Sequence, residues 1–294
     1  MYDVAIIGGG PAGLTAALQL GRARRKVLLL DAGEPRNTKA VEVHGFLTRD
    51  GTPPREMRRL AHEELARYRT VERRIEWVKR LEPHTAHVTL HIGCDAVDAR
   101  RVLLATGMID EPPDLPGFRE LWGESIFQCP YCHGYEVADQ PWGYWARLEM
   151  MIGSGFPQLL RAWTNDLVVF TSGAYPVPDE VRQKLARAEV RLDERPIVGL
   201  RAENGKLAAV QLEAGEVARS VLFAHPPQKQ TALIRETGIE LDEWGFVKLD
   251  AHNQTSVPRI HAAGDLTTMR QSAQIAAGSG NLAGATINHL LMNE

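Results

Sequence analysis

Cysteine and aromatic residues are scarce in this chain of 294 residues, and long apolar runs are absent from it. The three cysteines are too few for a disulfide scaffold. Aromatic residues make up only 6% of the chain, so aliphatic side chains must supply most of the core. No stretch approaches the roughly 18 apolar residues that span a membrane. The N-terminus also lacks the charged start and cleavage pattern of a signal peptide.

The chain also has no large excess of positive or negative charge, because its formal net charge is −3 and no long basic run occurs. This balance argues against a nucleic-acid-binding protein. Hydrophobic residues at 44% and charged residues at 24% are ordinary for a globular protein, and the length favours two domains. We therefore expect a cytoplasmic protein without nucleic-acid or membrane partners. A closing helix over residues 278–291 carries glycines that permit close helix packing, for example at a dimer interface.

A nucleotide-binding motif opens the chain. An apolar run at residues 4–7 predicts a buried parallel strand, and Gly8, Gly10 and Gly13 then form a G-x-G-x-x-G sequence before a helix. Gly8 permits the tight turn, Gly10 lets the backbone approach a pyrophosphate, and Gly13 lets the helix pack on the strand. Asp31 follows eighteen positions after Gly13, at the end of the next apolar strand. An acid at that place can accept hydrogen bonds from a ribose hydroxyl.

Two later segments carry nucleotide-site features. One buried strand ends in Ala105-Thr106-Gly107, and another, far downstream, ends in Gly264-Asp265. Because the first and last parts of the chain both carry such features, we expect a split domain over residues 1–117 and 243–294. A smaller domain over residues 118–242 is inserted in it. The predicted fold class is α/β, with two Rossmann-like three-layer ββα domains.

A single C-x-x-C pair lies in the predicted insert. Cys129 and Cys132 are close enough in sequence to close a small disulfide ring, and a helix starting there would favour the thiolate. His133 and Glu136 follow and could move protons during thiol–disulfide exchange. A structural zinc site usually needs four ligands, and only one pair is present, so no metal is expected. Cys94 has no near partner and is expected to be a buried, apolar residue.

In this order, the motifs resemble those of thioredoxin-reductase-like FAD-dependent pyridine nucleotide-disulfide oxidoreductases, over essentially the whole chain. The resemblance implies noncovalent FAD, a homodimer, Cys132 facing the flavin and Cys129 exchanging with the substrate. The usual family aspartate after the second cysteine is replaced by His133. That change and the segments 31–37 and 44–47 resemble a subgroup that includes dithiol oxidases of gliotoxin-type and holomycin-type pathways. The cofactor-binding residues that follow are Gly8, Gly10, Pro11, Ala12, Gly13, Asp31, Ala32, Arg36, Asn37, His44, Ala105, Thr106, Gly107, Gly264, Asp265, Arg270, Gln271 and Ser272.

The insert lacks the second glycine fingerprint that would bind NADPH in such a reductase. A strand over 142–147 and another over 166–170 place the intervening turn near Leu148-Glu149-Met150, whose side chains are large and include a negative charge. Gly153-Ser154-Gly155 is the rival candidate, but it leaves room only for a shortened helix. The segment 170–173 has no arginine for a 2′-phosphate. The sequence therefore argues against ordinary NADPH binding.

Electrons must then come from another donor. We expect reduction of thioredoxin or a similar protein disulfide, or of a small-molecule disulfide, with a donor such as ferredoxin. The alternatives are oxidation of a small dithiol by oxygen, a second flavin or nucleotide in a remodelled insert, and a flavoprotein redox sensor without physiological turnover.

Overall fold

The computed structural model describes all residues, Met1–Glu294, and divides them into two compact units. One unit combines Met1–Ile109 with Gln228–Glu294, and the other is Asp110–Pro227. The two divisions expected from the sequence lie later, after residues 117 and 242. The segment that follows Gln228 lies in the first unit because Leu233 and Ile234 are buried in the same apolar core as its β-strands.

Helices and strands alternate along the chain, as expected for an α/β protein. The first unit begins with β1 (Tyr2–Ile7), α1 (Pro11–Arg22), β2 (Val27–Leu30), α2 (Pro54–Leu65), β3 (Val71–Arg74), β4 (Val78–Pro83), β5 (Val88–Ile92), β6 (Asp95–Leu104) and β7 (Ile109–Asp110), where the chain passes to the second unit. The second unit holds α3 (Phe118–Leu121), β8 (Ile126–Phe127), α4 (Pro130–His133), β9 (Trp142–Trp145), α5 (Glu149–Gly153), α6 (Phe156–Leu160), β10 (Leu167–Phe170), α7 (Asp179–Arg187), β11 (Arg191–Asp193), β12 (Ile197–Glu203), β13 (Lys206–Leu212), β14 (Glu216–Ala218) and β15 (Val221–Ala224). The first unit resumes with β16 (Gln228–Lys229), α8 (Ala232–Glu236), β17 (Ile260–Ala262), a 3-10 turn (Asp265–Thr267) and α9 (Ala273–Met292).

Strand β6 joins the two parts of the seven-stranded sheet in the first unit, whose order is β3-β2-β1-β6-β5-β4 with β17 also on β6. Its second half pairs in parallel with β1 and β17, so that Ile7 and Ala262 both lie beside Leu104. Its first half pairs antiparallel with β5, which continues to β4. The carboxyl ends of the parallel strands meet at one edge of the sheet, and the loops that follow them lie together there.

Helices α1 and α9 pack on one face of this sheet at very close range. A Cβ atom added to Gly280 would overlap the carbonyl of Ala12, and one added to Gly284 would lie 3.2 Å from the carbonyl oxygen of Ala16. Gly280 and Gly284 therefore permit close contact with α1 of the same chain, and a dimer contact through α9 stays a prediction. On the opposite face, buried side chains of the β4–β5 hairpin and of α8 share an apolar core with side chains of β1 and β2, which agrees with the three-layer ββα arrangement.

The second unit has its own sheet and its own core. Five parallel strands run in the order β11-β10-β9-β15-β8, and β12-β13-β14 form a separate antiparallel sheet. Buried aromatic side chains such as Trp142, Tyr144 and Phe223 fill this unit. Both units are thus Rossmann-like, as the sequence predicted.

Cys94 is exposed, so the expectation that it is buried is wrong. It follows Gly93, which takes a φ of 58° in the tight connection between β5 and β6, and this hairpin tip carries its residues away from the core. No helix combines the length and the apolar character needed to cross a membrane.

Candidate functional site

The glycine turn after β1 has the backbone geometry that the motif requires. Gly8 has a φ of 114°, and a Cβ atom there would overlap the backbone of Ala105. A Cβ atom on Gly13 would overlap the carbonyl of Gly8, so this glycine lets α1 pack against the turn. Gly10 is different, because nothing lies within 4 Å of the position its Cβ would take. Bare backbone therefore faces open space at Gly10, where a pyrophosphate needs to approach.

The N-terminus of α1 has no side chain that caps it. Gly10 is the N-cap residue and Pro11 occupies the first turn, while the side chain of Ala12 is buried. The twelve-residue helix has no acidic residue in its first turn, so its amide groups and its dipole are available to an anion.

The segment after β6 lies beside this turn. The amide of Ala105 donates to the carbonyl of Ile7 at 2.8 Å, which fixes the segment against β1. The hydroxyl oxygen of Thr106 is buried and has no hydrogen-bond partner within the protein. Gly107 follows with a φ of 65° and open space around it. A buried hydroxyl without a partner is costly, so a ligand group beside Thr106 would complete the structure.

Arg36, Asp265 and Gln271 come together from distant parts of the chain. One guanidinium nitrogen of Arg36 lies 3.1 Å from a carboxylate oxygen of Asp265 and 2.6 Å from the amide oxygen of Gln271. The preceding Gly264 has a φ of 91°, and its amide donates to Ser279 Oγ at 2.9 Å. These contacts join the loop after β2 to the loop after β17, at the same sheet edge as the glycine turn.

The remaining cofactor-site candidates lie in the loops of this edge or beside it. Asp31 follows β2 and accepts a hydrogen bond from the Gly33 amide at 3.1 Å. His44 is largely buried and lies 3.4 Å from Glu42 and 3.6 Å from Asp50. Ser272 caps α9 by accepting from the Ile275 amide. Ala32 and Asn37 lie in the loop after β2, and Arg270 lies in the loop before α9.

In the second unit, the cysteine pair begins the single turn of α4. Cys129 is the N-cap residue, and its carbonyl accepts from the Cys132 amide at 3.2 Å. A hydrogen bond from the Cys132 side chain lowers the pKa of Cys129 to about 7, helped by the amides of Cys132 and Tyr131 and opposed by burial. The thiolate of Cys129 is therefore abundant near neutral pH.

His133 is held by an aromatic neighbour. Its ring stacks on Phe127 of β8, with centroids 4.6 Å apart and an interplanar angle of 13°. Tyr131, which lies between the two cysteines, is 69% exposed, and its ring makes an edge-on contact with Trp163 with ring centroids 5.3 Å apart. Stacking on Phe127 restricts the rotation of the histidine ring, which follows Cys132 directly in the chain.

The turn after β9 contains no glycine. The strand ends at Trp145, and α5 starts at Glu149 after the N-cap residue Leu148. From the sequence, this turn is expected near Leu148-Glu149-Met150, but Glu149 and Met150 lie in α5 because the strand ends at Trp145 and not at residue 147. The rival sequence Gly153-Ser154-Gly155 lies instead at the break between α5 and α6, where Gly155 has a φ of 82°.

Two side-chain contacts lie at the same turn. The hydroxyl of Tyr175 donates to the carbonyl of Ala146 at 2.8 Å, and the guanidinium of Arg147 lies 5.2 Å from the ring centre of Trp145. Burial, followed by the charge of Glu149, raises the pKa of Tyr175 to about 12, so its hydroxyl stays protonated. Tyr175 is not predictable from the sequence, because nothing in its local pattern indicates that it reaches the turn after β9.

Comparison with known proteins identifies the family. The family model for pyridine nucleotide-disulphide oxidoreductases matches residues 2–157 and 168–280. The thioredoxin reductase sirT of Leptosphaeria maculans is 31% identical over 308 residues, covering 98% of this chain and 94% of that protein. A crystal structure of HlmI is 36% identical with a TM-score of 0.92, covering 99% of this chain and 93% of the other. A putative thioredoxin reductase TrxB from Bacillus anthracis is 34% identical with a TM-score of 0.91, covering 99% of both chains. The chain therefore belongs to the pyridine nucleotide-disulphide oxidoreductase family and is a thioredoxin-reductase-like enzyme of it.

Proposed function

We propose that this protein is an FAD-dependent thiol–disulfide oxidoreductase in which two electrons pass between flavin and the Cys129/Cys132 pair. From there they pass to a protein or small-molecule disulfide, with thioredoxin as the type of protein acceptor. The observation that carries the proposal is the Cys129/Cys132 pair at the start of α4, where a hydrogen bond from the Cys132 side chain lowers the pKa of Cys129 to about 7. A structural cysteine has no need of such activation, whereas an exchanging thiol does.

The first unit would hold the FAD. The open backbone at Gly10 and the uncapped N-terminus of α1 suit its pyrophosphate, and Asp31 suits the adenosine ribose. The unpartnered hydroxyl of Thr106 and the Arg36–Asp265–Gln271 cluster supply polar groups at the same edge. When bound, FAD supplies the two-electron couple that the cysteine pair needs. The second unit would then be the inserted domain, and a homodimer is the proposed assembly.

The two cysteines have different roles in this proposal. The Cys129 thiolate attacks one sulfur of the acceptor disulfide, whose S–S bond breaks as a mixed disulfide forms. Cys132 then gives up its proton and attacks the Cys129 sulfur, which releases the acceptor as a dithiol and leaves Cys129 and Cys132 oxidised. His133 is placed directly after Cys132 and is the residue that we propose carries the proton to the leaving thiolate.

The proposed electron donor is one other than NADPH, such as ferredoxin. The turn after β9 offers Ala146, Arg147 and Leu148 where a phosphate needs bare backbone, and α5 continues with a carboxylate at Glu149. Helix α5 has only five residues, compared with the twelve of α1, so it offers a pyrophosphate little dipole stabilisation. The Tyr175 hydroxyl already donates a hydrogen bond to the carbonyl of Ala146 in this turn.

The same features favour a second candidate, an oxygen-dependent oxidase of small dithiols. In that direction the substrate dithiol becomes a disulfide by exchange with the oxidised cysteine pair, and its two electrons and two protons reduce oxygen to hydrogen peroxide. This direction requires no nicotinamide nucleotide, which agrees with the absence of a glycine from the turn after β9. Recovery of oxidised flavin in air after reduction by a dithiol distinguishes it from disulfide reduction.

The role of Cys129 is tested by the pH dependence of its alkylation in the reduced full-length protein. In a Cys94→Ser background, which removes the exposed thiol, we expect the iodoacetamide rate at Cys129 to rise with pH and to reach half its maximum near pH 7. The folded-state pKa is lowered, so the reactive thiolate is lost as the pH falls below that value. Cys132→Ala removes the activating hydrogen bond and should move the midpoint upward. The proposed role would be contradicted if the midpoint in the parent protein were about 8.5, which is the pKa of a free cysteine.

A further inference from the structure

Arg58 forms an ion pair inside the nucleotide-binding edge of the first unit. It lies on α2, and one of its guanidinium nitrogens is 2.5 Å from a carboxylate oxygen of Asp31. The exposed fractions of the two side chains are only 18% and 13%, so water screens the pair weakly. Arg59, the next residue, instead pairs with Glu56 and Glu63 on the exposed side of the helix.

The ion pair fixes the Asp31 carboxylate against the glycine turn. The oxygen that accepts from Arg58 is also the one that a Cβ atom on Gly9 would overlap, so this carboxylate lies directly beside the turn. The other oxygen accepts from the Gly33 amide at 3.1 Å. Two ionised carboxylate oxygens offer about four acceptor sites. After these two hydrogen bonds, each oxygen can still accept one from a ribose hydroxyl.

The positive charge of Arg58 also acts on the pyrophosphate site. An acid beside a pyrophosphate site repels the phosphates, and the guanidinium of Arg58 offsets that repulsion. His62 lies one helical turn further along α2, with a buried Nε2 that has no hydrogen-bond partner. Burial, followed by the charges of Arg73 and Arg58, lowers the pKa of His62, so this ring is neutral near pH 7. Arg58 is therefore the cation that pairs with Asp31.

We propose that Arg58 is a positioning residue for the adenosine half of FAD, acting through Asp31. It holds the carboxylate in place for the ribose and offsets its charge beside the pyrophosphate. The inference rests on the proposed FAD site and adds to it a residue from a helix that carries no part of the glycine motif.

The test is a double-mutant cycle read as FAD affinity. Full-length protein is stripped of flavin, and FAD binding is followed by flavin fluorescence for the parent, Arg58→Gln, Asp31→Asn and the double variant. We expect Arg58→Gln to weaken FAD binding about tenfold, the order of effect for losing a hydrogen bond between charged groups. On the Asp31→Asn background the same change should have little further effect. Arg58→Lys should recover part of the affinity, and Arg59→Gln on the same helix should bind FAD like the parent.

Three results would overturn the inference. One is unchanged FAD affinity in Arg58→Gln, and another is the same loss with and without Asp31, because Arg58 would then not act through it. The third is an equal loss in Arg59→Gln, which would indicate a general effect on α2. All three differ from failure of the proposed function itself, in which the parent protein would bind no FAD.

Discussion

Replacing Cys132 with serine is expected to stop electron transfer between flavin and the disulfide while the protein keeps its FAD. Serine can still donate a hydrogen bond to Cys129, but it cannot form the disulfide that stores two electrons. Disulfide-linked turnover should therefore fall by about three orders of magnitude or more, as for loss of a reacting nucleophile. The measurement is turnover with a disulfide acceptor, together with the flavin-to-protein ratio from absorbance.

Cys94→Ser is the matched control for this substitution. Cys94 is exposed at a hairpin tip of the first unit, so the same chemical change there should leave turnover unaltered. If Cys132→Ser kept its full turnover, the C-x-x-C pair would not be the electron carrier and the assignment of both cysteines would be refuted.

Replacing Gly10 with valine is expected to yield folded protein that has lost FAD. Gly10 has a φ of −80° and a ψ of −178°, an extended conformation that valine adopts readily, and its Cβ position has no neighbour within 4 Å. The fold should therefore tolerate the side chain, while the branched group occupies the approach of the pyrophosphate. FAD affinity should fall by about 100-fold or more, which corresponds to about 2.7 kcal/mol.

Comparison of flavin-free proteins separates this loss from misfolding. The thermal midpoint of stripped Gly10→Val should match that of the stripped parent protein. Gly153→Ala is a suitable control, because that glycine also has no neighbour within 4 Å but lies in α5 of the second unit. It should retain FAD at the parent ratio. Full FAD occupancy in Gly10→Val would show that the cofactor does not approach this turn.

The sequence contained enough to predict the parts of the site that depend on local backbone geometry. Gly8 and Gly13 are needed because their neighbours leave no room for a Cβ atom, and that requirement appears directly as a glycine spacing. The strand–turn–helix context followed from apolar periodicity in the same way. The absence of a glycine in the turn after β9 was also predictable, because the strands expected over 142–147 and 166–170 placed that turn near Leu148.

Features that depend on packing between distant segments were not predictable. The contact of Arg58 with Asp31 joins residues 27 positions apart, and no periodicity indicates which arginine of α2 turns inward. Tyr175 reaches Ala146 across 29 positions for the same reason. The division near Gln228 depends on where Leu233 and Ile234 are buried, which is a property of the assembled core.

The most direct measurement is anaerobic mixing of the oxidised protein with NADPH, with flavin absorbance followed over time. NADH, reduced ferredoxin and a small dithiol are mixed separately under the same conditions. We predict no rapid bleaching by either nicotinamide nucleotide and rapid bleaching by ferredoxin or by the dithiol, through a donor route that does not use the turn after β9. Rapid bleaching by NADPH would contradict this, because it would show that the second unit binds the nucleotide despite the side chains at that turn.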